Sequence, residues 1–248
     1  MGRALSLLLA LLLSSSYSIT QISVTSTAWE YVTEERGVMI EKRDVSSEYA
    51  AYDFGRLCLE HQSGRLGYIG SDYQRFYIHF TSITKDSSDP HLYHVRGKTR
   101  VRNNLCDFVG TLLLKSIRRL FDPDACENDV RPTVQGIACF TYEFREDPNQ
   151  GHVGQFEGTA AIQWYLDSNK RLCYDKTWNC SDRFTNNCFV GEWTSYSTHV
   201  SKPCNWGDCR IPFSGDLDIG AGEFSPGPKY RRSGWEQFPS DAQNEWWK

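Results

Sequence analysis

The sequence predicts an all-β fold: an antiparallel meander closed or nearly closed into a barrel, followed by an irregular, disulfide-containing C-terminal segment. Three observations carry this expectation. Roughly eight to ten short runs of alternating apolar and polar residues recur about 10 to 20 residues apart, with turn residues between them. No long stretch holds a convincing helical period. One phrase recurs as Phe108-Val109-Gly110-Thr111, Phe156-Glu157-Gly158-Thr159 and Phe189-Val190-Gly191-Glu192, with Val95-Arg96-Gly97 as a looser copy. A glycine early in a strand marks a bulge or a close approach of two backbones, as where a sheet curls into a barrel. The copies are too irregularly spaced for a solenoid, so they read as strand grammar within one domain.

The chain of 248 residues opens with Arg3, an apolar run from Ala4 to Leu13 and the small, polar stretch Ser14 to Ser18. That is the three-part pattern of a secretory signal peptide, and the apolar run is too short to span a bilayer. Residues 1–18 are therefore expected to be a leader, and the mature protein secreted: extracellular, or periplasmic in a Gram-negative source. Later in the chain nothing approaches ~18 consecutive apolar residues, so no transmembrane segment is expected.

In the first part of the mature chain, Trp29–Val32 and Val38–Glu41 flank Glu34-Glu35-Arg36-Gly37 and read as a hairpin. Tyr49 to Glu60 reads as a further strand. From Tyr73 to Thr84, Gln74, Phe76, Ile78 and Phe80 alternate with Tyr73, Arg75, Tyr77 and His79, an aromatic-rich strand with one apolar face. After the turn Lys85 to Pro90 the chain returns from Leu92 to Arg102. Leu112 to Leu120 is apolar enough for a helix, but the turn residues around it favour a strand. Val134 to Arg145 alternates again, with Ala138, Phe140, Tyr142 and Phe144 on one face. Phe156–Leu166 pairs with Leu172–Trp178 across Asp167 to Lys170. Phe189 to Thr198 is the last expected strand. The expected division is thus a barrel or sandwich over 19–198 and a Gly/Pro/Trp-rich segment over 199–248 that packs on it.

All nine cysteines lie in the expected mature chain. Export makes disulfides the default, and four bridges leave one thiol over. The preferred short loops join Cys204 with Cys209, and Cys180 with Cys188 or Cys173. A zinc site lacks paired Cys-x-x-Cys and nearby histidines.

Among functions, nucleic acid is disfavoured as the main partner: loss of Arg3 with the leader takes the formal net charge from −4 to −5. The densest loop chemistry is Cys204-Asn205-Trp206-Gly207-Asp208-Cys209-Arg210. Trp206, Asp208 and Arg210 there suggest a sugar-binding face, while a tryptophan between cysteines serves equally as a barrel plug. Asp216, Asp218 and Glu223 offer oxygen ligands for calcium; alternatively they cap turns and pair with Arg210, Lys229 or Arg231. Catalytic motifs such as G-x-S-x-G, H-E-x-x-H and the P-loop are absent. Glu143 with Glu157, or Asp175 with Glu192, would have to face each other across a cleft to serve as a glycosidase pair.

Phe189-Val190-Gly191-Glu192-Trp193-Thr194-Ser195-Tyr196 resembles the F-x-G-x-W entry strand of calycin barrels, the lipocalins and fatty-acid-binding proteins. In that family the motif opens the barrel, whereas Gly191 and Trp193 come near its end here. The resemblance implies calycin-like strand style alone. Trp193 stands separately, with Trp206, Asp208 and Arg210, among the ligand-binding candidates. The leading expectation is a secreted, non-catalytic barrel that binds a small apolar or amphipathic ligand, or a glycan. Its alternatives are an interaction module whose tail tryptophans, Trp235, Trp246 and Trp247, dock on a partner, and a secreted glycoside hydrolase.

Overall fold

The structure, a computed structural model, describes residues 27–36, 40–121, 125–126, 131–182, 184–240 and 245–248. The expected leader lies outside the described residues, as do Val38 and Met39 of the expected first hairpin.

Alternation and turn chemistry produce nine strands: β1 Arg65–Ile69, β2 Gln74–Lys85, β3 Leu92–Val101, β4 Asn104–Arg119, β5 Val134–Glu146, β6 Gly154–Leu166, β7 Leu172–Tyr174, β8 Asn186–Ser195 and β9 Ser201–Asp208. Antiparallel pairing in the order β1-β2-β3-β4-β5-β6-β8-β9, with β9 returning to β1, closes an eight-stranded barrel. β7 continues along β6 past the end of β8. Register shifts at Phe80/Ser82, Leu114/Ser116 and Asn186/Phe189 add the local bends that closure needs.

The recurring phrase explains how the interior fills. Phenylalanine and glycine two residues apart on a strand share a face, so in each copy the ring fills the barrel and the glycine admits a neighbour's ring. Phe108 pairs with Gly97, Phe144 with Gly110, and Tyr142 with Gly158. Eight rings, those of Phe76, Phe80, Phe108, Tyr142, Phe144, Phe156, Phe189 and Trp206, meet at the centre, all buried. Trp206 stacks on Phe189 with ring centroids 4.8 Å apart.

One end of the barrel is plugged by the chain before β1. Single 3-10 turns at Ser46–Tyr49 and Gly55–Leu59 bring Tyr49 and Phe54 against Trp164, at 5.0 and 5.4 Å between ring centroids. This corrects the strand expected over Tyr49 to Glu60. The first hairpin is also corrected: Ala28–Arg36 is an α-helix, α1. Its start is a reciprocal capping box, in which the Thr27 amide donates to Glu30 Oε2 at 2.8 Å and the Glu30 amide to Thr27 Oγ1 at 3.2 Å. Ala28 and Val32, one turn apart, pack on Ile137, Ala161, Cys188 and Val190 outside the barrel.

The barrel runs past the expected boundary at 198, because β9 is what closes it. Only beyond Asp208 does the chain become irregular. It folds along β1, burying Ile211, Leu217, Phe224 and Trp235 against Leu66 and Tyr68. Farther on, Trp247 stacks on His79 at 4.0 Å and Trp246 packs on Tyr77 at 5.7 Å. The three tail tryptophans thus lie on their own barrel, which removes the argument that offered them to a partner. No helix among the described residues is long and apolar enough to cross a membrane.

The cysteine pairing differs from expectation. Cys180 is bonded to Cys126, not to Cys188 or Cys173, and Cys204 and Cys209 are both free thiols. Closeness in sequence failed as a guide because strands aim neighbours into different layers. Cys204 points into the barrel core, Cys209 lies exposed beyond the strand, and Cys188 is buried under α1. The Cys126–Cys180 bridge spans 54 residues and ties the β4–β5 connection to the β7–β8 connection. Restricting so long a loop in the unfolded chain contributes about 4 kcal/mol in the chain-entropy model.

Candidate functional site

The end opposite the plug is open. Here the β1–β2, β3–β4, β5–β6 and β8–β9 turns surround a cup of about 500 Å3, a volume in the range of small-molecule sites. Each of the eight barrel strands contributes to its wall: Ile69, Gln74, Thr99 with Val101, Asn104, Glu146, Phe156, Trp193 and Lys202. Rigid strands, rather than loops, set its shape. From the turns, Arg102 and His152 project into it, each at a positive φ of 53° that tight reversal imposes on a non-glycine residue.

Glu146 is the residue that sequence reading missed. It is only 5% exposed, yet among the described residues it forms no ion pair. Instead its carboxylate accepts three neutral donors: Thr99 Oγ1 at 2.5 Å on Oε1, and the Gly154 amide at 2.9 Å and Trp193 Nε1 at 3.0 Å on Oε2. Burial pushes its pKa above the ordinary glutamate value, and these three donors hold part of the shift back. One signal was readable in advance. Counting by twos from Phe140, Tyr142 and Phe144 puts Glu146 on the inward face, where an acid is out of place.

A raised carboxylate pKa means that the folded state holds this proton more tightly than the unfolded chain. The stability it contributes is present below the ordinary glutamate value of about 4.3 and is lost as pH rises through the raised folded value. Glu146→Gln fits the same partners, with its oxygen accepting from Gly154 and Trp193 and its amide donating to Thr99. The variant is therefore expected to melt higher than wild type at neutral pH and about equally near pH 4. Melting temperatures across that range check this; a variant that melts lower at pH 7 would mean the ionised carboxylate stabilises the fold.

Of the residues singled out from sequence, the structure brings Trp193 to the cup and places the rest elsewhere. Trp206 is the central plug. Asp208 is wholly buried at the plugged end, where it accepts from Arg65 Nε at 3.0 Å, Asn187 Nδ2 at 2.7 Å and Tyr174 Oη at 3.1 Å. Arg210 clamps the C-terminal segment through Asp218 and the carbonyls of Asp182, Gly220, Ala221 and Gly222. Asp216 is held by Lys229 and Tyr230, Asp218 also accepts the Gly220 and Ser225 amides, and Glu223 lines a second groove. Among the described residues no group of three or more histidines, cysteines or acids gathers as a metal site. Glu143 and Glu157 are cross-strand neighbours, but the same alternation that aims Tyr142 and Phe144 inward turns them to the outside of the barrel. Asp175 is buried against Gln135 and Thr177, away from Glu192.

The second groove, about 670 Å3, lies between the C-terminal segment and the start of β1. Loops form most of its wall, and its best-placed charge, Arg210, is already engaged. The cup is the better-built site. Compared with protein-family models, curated proteins and solved structures, the chain matches none.

Proposed function

We propose that this chain is an exported binding protein that holds a small amphipathic molecule, without transforming it, in the cup at the open end of its barrel. The observation that carries this reading is the cup's floor, a buried carboxylate beside an indole and a phenyl ring, in a concavity walled by all eight strands. The barrel centre, filled by eight aromatic rings, leaves the mouth as the place for a ligand. Export is supported by the leader-like N-terminus.

A melting-shift screen of small amphipathic compounds tests the proposal. Binding compounds should raise the melting temperature of the wild type. Trp193→Ala removes both a wall of the cup and a donor to Glu146, and should weaken binding at least tenfold, about 1.4 kcal/mol. Compounds that bind wild type and Trp193→Ala equally would place their site outside the cup and sink the proposal.

A further inference from the structure

Charge in the cup is stratified. At its floor Glu146 is buried with neutral donors alone, and those donors occupy three of the roughly four acceptor positions of a carboxylate, leaving one on Oε1. Trp193 and Phe156 stand beside it. A buried carboxylate next to aromatic faces is complementary to a cation, which gains both the ion pair and the ring quadrupole. Ion pairing would also return to Glu146 the compensation that burial denies it.

At the rim the sign reverses. Arg102 and Lys202 both line the cup, are exposed, and form no ion pair among the described residues. Arg102 is held by its Nε to Gln74 Oε1 at 2.7 Å, which leaves the outer edge of its guanidinium free to donate. Lys202 Nζ lies 5.9 Å from the Trp193 ring centroid, so it overhangs the same wall that Glu146 anchors from below. Asp72 is the acid on the rim, so the rim has one net positive charge and the floor one negative. A ligand carrying a cation alone would meet the rim unfavourably, and an anion alone would meet the floor unfavourably.

We propose that the cup selects a small zwitterion, such as an amino acid with an apolar side chain, with its ammonium inward on Glu146 and Trp193 and its acid outward on Lys202 and Arg102. This rests on the reading of the cup as the binding site. It adds the ligand's charge pattern and its orientation.

Isothermal titration with four probes that share a phenyl ring tests it: L-phenylalanine, phenethylamine, 3-phenylpropionate and phenyl β-glucoside, which carry both charges, the cation, the anion and no charge. On wild type, phenylalanine should bind tightest, phenethylamine at least tenfold weaker, and the other two weaker still. Glu146→Gln should weaken phenylalanine and phenethylamine at least tenfold each and leave the glucoside unchanged. Lys202→Glu, an exposed change, should weaken phenylalanine severalfold and leave phenethylamine equal or tighter. Circular dichroism and melting of each variant establish that the barrel is intact; should Glu146→Gln misfold, Lys202→Glu still decides by its opposite effects on the two probes.

The zwitterion is overturned if phenethylamine, the propionate or the glucoside binds tightest, if phenylalanine binds Glu146→Gln as it binds wild type, or if none of the four probes binds. These results also separate the two levels of the reading. A neutral or anionic probe that loses affinity in Trp193→Ala leaves the cup as the site and overturns the charge pattern alone. A probe indifferent to Trp193→Ala overturns both.

Discussion

Gly158→Val is expected to abolish the folded barrel. A Cβ at Gly158 would stand 2.2 Å from the Val190 carbonyl oxygen, 2.7 Å from Gly191 Cα and 2.8 Å from Tyr142 Oη. The first two are backbone atoms of the facing strand, so no rotamer change relieves the contact. Gly191, its partner across β6 and β8, is as confined, with the Glu157 oxygen 2.1 Å from its own Cβ position. Here two strands and the Tyr142 ring converge because both residues lack a side chain. The variant should show no cooperative melt and little native near-ultraviolet dichroism. Gly151→Ala is the control, since nothing lies within 4 Å of its Cβ position. A Gly158→Val protein that melts within a degree or two of wild type would mean that the barrel does not close through this pair.

Asp208→Ala is expected to cost about 3–5 kcal/mol, the usual result of stranding one partner of a buried pair. Burial pushes the Asp208 carboxyl up, while Arg65, Asn187 and Tyr174 hold it down. Arg65 is as deeply buried as its partner, and also donates to the Cys58 carbonyl at 3.0 Å and to Gln62 Oε1 at 3.3 Å. Asn187 joins the same network to the Leu57 carbonyl at 3.2 Å. Loss of Asp208 therefore unlatches the plug from β1 and β9 and leaves a guanidinium without a counter-charge. Denaturant unfolding of Asp208→Ala, Arg65→Met and the double variant measures this. The double variant should be more stable than Asp208→Ala alone; if the single costs under about 1 kcal/mol, the pair is not the latch.

The barrel was legible in the sequence because its strands are wet on one face and dry on the other. In β2 to β6 most inward residues are aromatic or aliphatic, and the alternation of buried and exposed positions runs through strands of ten residues or more. β1 was missed because it is short and buried on both faces, under Trp206 within and the C-terminal segment without, so it has no polar alternation. β9 contains Pro203 and Gly207 and reads as a loop; Pro203 sits among its exposed first three residues. Helix α1 was misread although Thr27 and Glu30 spell a capping box, because nine residues are too few to outweigh Trp29, Tyr31 and Val32 as strand formers.

The site was less legible than the fold. Trp206, Asp208 and Arg210 drew attention as a cluster, yet β9 carries Trp206 into the core and Asp208 into the plugged end, while Arg210 clamps the outside. Residues dense in sequence are dispersed by a strand. The cup has the opposite property: its lining comes from eight strands spread between Ile69 and Lys202, so no local window contains it. Trp193 was the visible part, already among the binding candidates. Glu146 became visible only once the parity of β5 was fixed.

Amide hydrogen exchange, with and without the tightest compound from the melting-shift screen, tests the central claim most directly. With the ligand in the cup, protection should rise in residues 99–104, 146–156 and 193–202, the mouth ends of β3, β4, β5, β6, β8 and β9. Protection confined to residues 179–182, 184 and 222–239, around the loop-walled groove, would contradict the claim and move the function of this chain to its C-terminal segment.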